Sequence, residues 1–217
     1  MKIDFYNFII FNQIINMKII TIAHQKGGVG KTTLALNLAA CFREGLSVGL
    51  LDADLQGSLK GLETMLEGLE LIQYNNEPKT LRTVKKDLLI VDTPPYLTAQ
   101  LPDIFAVSDF VLVPTKVGFL DVMAIRATIQ LLKESQQKHP NLKAAIVLNM
   151  VKPRTTVNEE IRDILKDYGL PVLKTAISDR VSYTRSAITS GVFAGDDEKA
   201  KNEIASLADE ILTFLEL

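Results

Sequence analysis

The sequence predicts an α/β fold, a mostly parallel central sheet of about six to eight strands with helices on both faces. Two observations predict it. Short β-branched runs alternate with longer segments whose apolar residues recur at helical spacing. Strands that alternate with helices pair in parallel through right-handed crossovers. The strand-like runs end in a glycine-rich turn, Asp52, Asp92, Pro114 and Asn149, and such sheets bind ligands beyond the carboxyl ends of their strands.

Residues 1–16 are rich in Phe and Ile but are interrupted by Asp4, Asn7, Asn12, Gln13 and Asn16. They lack the long apolar core and cleavage site of a signal peptide, and they fall short of the ~20 apolar residues that span a bilayer. Met17 stands directly before a strand pattern. The stretch therefore reads as a dispensable extension, even one translated from an upstream start codon; an added edge strand or partner-binding arm is the other reading. Residues 17–217 are expected to form one domain.

Lys18 to Ala23 reads as a buried strand, followed by a glycine-rich turn and a helix from Lys31 to Arg43. Ser47 to Leu51, Leu88 to Val91 and Phe110 to Val113 read as the next clear strands, then Ala144 to Leu148 and a short Pro171 to Lys174. Asp121 to Lys138, Thr156 to Asp167 and Lys199 to Leu215 carry the helical period. Between Leu55 and Lys86 the pattern is weak, and one or two short helices are expected around a strand at Leu71 to Tyr74.

Composition excludes several classes. Lys and Arg total 24 against 26 Asp and Glu, so the chain is not a general polyanion binder, and any nucleic-acid contact needs a local basic patch. The single Cys41 makes no internal disulfide, which suits a reducing cytoplasm. Two histidines without a Cys/His cluster argue against zinc.

The turn after the first strand carries the most specific signal. A bound phosphate needs close backbone approach, several N–H donors and a cation. Gly27, Gly28 and Gly30 free the loop Lys26-Gly27-Gly28-Val29-Gly30-Lys31-Thr32-Thr33 to aim its amides inward, and the helix N-terminus adds partial positive charge. Lys31 is placed for the β- and γ-phosphates and Thr32 for Mg²⁺; Thr33 is placed for an earlier phosphate. The loop follows a strand, opens a helix and is joined by two strand-end aspartates, which a merely flexible turn does not require. The fold expected is therefore P-loop NTPase-like, with ATP and Mg²⁺ as ligands.

The loop departs from the usual Walker pattern: Gln25 replaces its first glycine, and Lys26 is an extra lysine at its head. In this it resembles the deviant Walker A of the ParA/MinD family of ATPases. The resemblance extends over nearly everything after Met17. Leu51-Asp52-Ala53-Asp54-Leu55-Gln56-Gly57-Ser58 resembles the family's second motif, with Leu55 where a proline is usual. Leu88-Leu89-Ile90-Val91-Asp92-Thr93-Pro94-Pro95 resembles its Walker B. The resemblance implies an ATP-sandwich homodimer in which Lys26 reaches the partner's nucleotide. It also implies that Asp54 orients the attacking water, that Asp52 lies near the magnesium shell, and that Asp92 reaches a magnesium-bound water. A helix N-cap role before Ser58 is the plain alternative for Asp54, and the two roles are compatible. Asn149 resembles the adenine-side loop of the family, and an ordinary polar turn is the plain alternative.

Within the family the chain most resembles small ParA-type partition ATPases. Val113 to Asp121 is similar to the segment after their fourth strand, and Ile177 to Tyr183 with Ser186 and Gly191 to their C-terminal portion. This implies nucleoid association, nonspecific DNA binding by the ATP dimer, and a centromere-binding partner protein that stimulates hydrolysis. Candidate DNA contacts are Lys152, Arg154, Arg180 and Arg185, with Arg162 and Lys166 nearby in sequence; solvated helix charges are the plain alternative. A membrane-associated MinD-like reading needs a basic amphipathic tail. Residues 202–217 contain Glu203, Asp209, Glu210 and Glu216 and no Lys or Arg, so no stable membrane association is expected. A metabolic ligase or amidase on the same scaffold would need a substrate pocket, for which the sequence carries no signal.

Overall fold

The computed structural model describes residues 17–54, 68–96, 99–152, 157–189 and 191–217. Arg154, Gln56 and the N-terminal stretch 1–16 lie outside the described residues, as does the N-cap reading of Asp54 at Ser58.

The strands are β1 (Lys18–Ile22), β2 (Val48–Asp52), β3 (Glu70–Ile72), β4 (Leu88–Asp92), β5 (Phe110–Lys116), β6 (Lys143–Val151) and β7 (Val172–Ser178). The helices are α1 (Lys31–Phe42), α2 (Leu101–Val107), α3 (Phe119–Ala124), α4 (Arg126–Lys138), α5 (Val157–Lys166), α6 (Val181–Arg185) and α7 (Glu198–Phe214). The seven strands form one sheet in the order β3-β2-β4-β1-β5-β6-β7, and every pair is parallel. The chain leaves β1 toward one edge and, after β4, builds toward the other. The end of β1 is thus flanked by β4 and β5, a switch point where a ligand site opens.

Alternation of side chains along each strand divides the core into two layers. Ile20, Ile22, Leu50, Ile90 and Leu112 pack on one face against Leu34 and Leu38 of α1 and Ile204, Leu207 and Ile211 of α7. On the opposite face Val111, Val113, Ile146 and Leu148 pack under Phe105 of α2, Ile129 and Leu132 of α4 and Ile161 and Leu165 of α5.

Several boundaries differ from those expected. β5 and β6 run to Lys116 and Val151, so Pro114 and Asn149 lie within strands rather than at their ends. Pro114 pairs with Val147 and Asn149 with Lys116. The segment from Asp121 to Lys138 is two helices joined at Ile125. The short α2 has too few turns to show a period, and only its packing on the sheet marks it.

A buried amide ties α1 to the C-terminal part of the chain. Asn37, fully buried, donates to Thr33 O at 2.7 Å and Ser186 Oγ at 2.8 Å, and its Oδ1 accepts from Val192 N at 2.8 Å. Beside it Gly191 has φ of 107°, and a Cβ there would lie 2.7 Å from Ala40 Cβ. The Asn37→Leu variant strands these partners in the core. It is expected to lose about 2–4 kcal/mol of unfolding free energy, measured by urea denaturation.

Candidate functional site

The alternation that builds the core also gathers the site. Leu50, Ile90 and Val147 face α1, and two residues further along β2, β4 and β6 stand Asp52, Asp92 and Asn149. All three therefore emerge on the α1 face, under the loop that joins β1 to α1. Their spacing across the sheet is fixed by register, with Asp52 paired directly to Asp92.

The loop itself turns at two left-handed glycines, Gly28 at φ 69° and Gly30 at φ 89°. Gly30 admits no side chain for a second reason, because a Cβ would run into Asn149 Nδ2. Asn149 is buried; its amide donates to Val29 O at 2.7 Å, and its Oδ1 accepts from Met150 N at 3.0 Å. One strand thus braces the loop from below. Val29, Lys31, Leu34 and Asn149 are all buried beneath the loop.

Lys31 is 6% exposed, with Nζ donating to Lys26 O at 3.2 Å. Burial lowers its pKa, while Asp92 and Asp54 oppose the shift. The Thr32 hydroxyl donates to Asp92 Oδ2 at 2.5 Å. Asp92 Oδ1 is buried without a partner among the described residues. Burial pushes this carboxyl up to about 7; Asp52 and Asp54 add to the rise, and the Thr32 hydroxyl and Lys31 counter it. A hydroxyl and an orphaned carboxylate oxygen side by side are the donor set a hard divalent cation takes. A cation there would restore the charged carboxylate. Asp52 Oδ1 accepts the Asp54 amide at 2.9 Å, which holds Asp54 at the head of the site.

Lys26 is placed differently from Lys31. Its side chain is 44% exposed and its ammonium pairs with Asp121 Oδ1 at 2.5 Å. Its amide donates to Nδ1 of the buried His24 at 2.8 Å. Burial, reinforced by Lys31, pushes the His24 pKa down to about 4, so the imidazole stays neutral and able to accept that bond. Neither His24 nor Asp121 was singled out from sequence for this role. A polar residue two positions before Lys26 was the only signal available.

Beyond Thr33 a cleft opens between Asn149 and Met150 on one side and Ser178, Asp179 and Arg180 on the other. The basic candidates fare unequally around it. Arg180 is committed to Glu203, with NH2 at 3.1 Å and Nε at 3.2 Å from Oε1, and lies 3.7 Å from Asp197. Glu203 also accepts from Ser178, through N and Oγ, and from the Tyr183 hydroxyl, so this guanidinium ties β7 and α6 to α7. Arg162 caps Leu173 O and Lys174 O, and Lys166 pairs with Asp163. Lys152 and Arg185 are exposed. A wider cleft near the amino ends of β2 and β3 is bordered by Arg43, Ser47 and the Lys86–Glu70 pair; no catalytic groups converge on it.

Residues 20–190 match the profile of the family described as the CobQ/CobB/MinD/ParA nucleotide binding domain. The chain is 30% identical over 207 residues to Maintenance of carboxysome distribution protein A of Halothiobacillus neapolitanus, covering 89% of this chain and 95% of that one. It is 28% identical over 202 residues to the chromosome-partitioning ATPase Soj of Thermus thermophilus, covering 75% and 81%. Among solved structures, Mycobacterium smegmatis cobyrinic acid a,c-diamide synthase with ATP analog and magnesium superposes with a TM-score of 0.74 at 24% identity, over 92% of this chain and 95% of that one.

Proposed function

Because this chain belongs to the CobQ/CobB/MinD/ParA nucleotide-binding family, we propose that it is a Mg²⁺-dependent ATPase that distributes a large cargo. In this reading it closes on ATP as a homodimer, binds DNA without sequence preference, and hydrolyses ATP when a cargo-bound partner protein stimulates it. The observation that carries the reading is Lys26. Its own loop already has Lys31, buried and directed inward, whereas Lys26 is half-exposed and held outward on Asp121. A second lysine so placed suits a nucleotide on another subunit.

Within one subunit the reading assigns each group a role. The loop amides and the α1 N-terminus receive the phosphates, and Lys31 neutralises them. Bound Mg²⁺ would spread charge from the phosphoryl oxygens. Thr32 and Asp92 would hold that ion, with Asp52 in its outer shell. Asp54 orients the attacking water, and the cleft beside Asn149 takes the base. Magnesium with an ATP analog in the cobyrinic acid a,c-diamide synthase supports this ligand pair.

The names of the Halothiobacillus and Thermus relatives both describe distribution, of carboxysomes and of chromosomes. A DNA-carried mechanism accommodates either cargo. The MinD-like alternative loses ground, because the apolar face of α7 is spent on α1, with Ile204, Leu207 and Ile211 fully buried. No helix among the described residues is long and apolar enough to cross a membrane.

The test is binding to arbitrary duplex DNA with Mg²⁺ and ATP, ADP or neither, at low and moderate salt. Binding only with ATP, weakened by salt, is the expected result; equal or absent binding in all three conditions defeats the reading. The same assay separates the arginines. Arg185→Glu is expected to cut DNA affinity about tenfold, through lost and reversed phosphate contacts in both subunits. Arg180→Glu instead faces Glu203 and Asp197, so its main effect is expected on the unfolding temperature.

A further inference from the structure

Phe110 and Leu112 of β5 face α1, whereas Val111 and Val113 face the opposite layer. Strand alternation carried forward puts Lys116, the last residue of β5, on the α1 face. It pairs in register with Asn149, the residue that braces Val29. Its ammonium reaches the other bend of the same loop. Lys116 Nζ lies 4.0 Å from where a Cβ on Gly28 would stand.

The three lysines of the site differ in what already holds them. Lys26 is paired with Asp121 and Lys31 donates to Lys26 O. No hydrogen bond or ion pair engages the Lys116 side chain among the described residues. An unpaired ammonium poised over a phosphate loop, on a strand rather than a flexible segment, is pre-positioned for an anion. Resting on the nucleotide reading of this loop, we infer that Lys116 is a third cation of the polyphosphate site, donating from β5 to the bound nucleotide of its own subunit. It supplies charge in the monomer while Asp121 still holds Lys26.

The test compares wild type with Lys116→Met by calorimetric titration of ATP and of ADP with Mg²⁺, at two salt concentrations. Unfolding temperatures of the nucleotide-free proteins serve as the control for folding. Methionine keeps the apolar stem on a half-exposed strand position and removes only the charge. The expected result is a loss of ATP affinity of about tenfold or more, a shallower salt dependence than wild type, and an unchanged unfolding temperature. A loss shared by ADP supports contact with the inner phosphates, and one confined to ATP supports contact with the terminal phosphate. Unaltered affinity for both nucleotides overturns the inference, as does a loss with the wild-type salt dependence. Wild type that binds neither nucleotide defeats the ATPase reading itself.

Discussion

Lys31→Ala is expected to weaken ATP binding by about 100-fold and to bring hydrolysis to background. Two effects combine. The variant removes the one cation that is 6% exposed inside the loop, where a charge-assisted bond to phosphate is least screened by water. It also removes the positive charge that Asp92 and Asp54 share, one of the two groups, after the Thr32 hydroxyl, that counter the rise of the Asp92 carboxyl. Carboxylates left facing an anionic ligand without that cation repel it. Isothermal titration with Mg²⁺ and ATP reads the first effect and phosphate release the second. An affinity within about threefold of wild type would show that the backbone amides alone hold the phosphates.

Lys26→Ala is expected to divide binding from assembly. ATP affinity of the monomer stays within a few fold of wild type, because this ammonium points to Asp121 and away from the loop interior. ATP-driven dimerisation is lost, as seen by light scattering at saturating nucleotide. Asp121→Ala should act in the opposite direction. The Lys26–Asp121 pair competes with any cross-subunit contact, yet with Lys26 44% exposed it is worth no more than about 1 kcal/mol. Freeing Lys26 from it should lower the ATP concentration needed for dimerisation by up to about fivefold. A Lys26→Ala protein that dimerises as wild type does would remove the main support for the cross-subunit role. An Asp121→Ala protein that needs more ATP would make Asp121 a part of the interface rather than a competitor.

The contrast between these lysines marks how far the sequence is legible. Lys26, Lys31 and Thr32 are readable because the loop is local, and its glycines and the adjoining strand and helix lie within a few residues of one another. Asp52 and Asp92 are readable because apolar runs deliver them to strand ends, and the parallel pairing of Asp52 with Asp92 confirms that placement. Pro114 and Asn149 look like strand terminators, yet β5 and β6 run past them to Lys116 and Val151. Sheet pairing overrides that local preference, since Thr115 and Lys116 still find partners across β6. By sequence Arg180 is a candidate DNA contact; the partner that engages it, Glu203, is 23 residues away on α7.

By itself the sequence determined the parallel α/β architecture, the glycine-rich loop between β1 and α1, its two lysines and the strand-borne aspartates, because each depends on composition and period over a short stretch. Only the tertiary structure decided which groups meet. Asn149 under Val29, Lys116 over Gly28, Asp121 on Lys26 and Asn37 on Val192 are contacts across long stretches of chain. They are set by strand order, register and the face each residue occupies. A one-residue slip in β5 or β6 would turn Lys116 or Asn149 to the other side of the sheet, and no local pattern specifies that register.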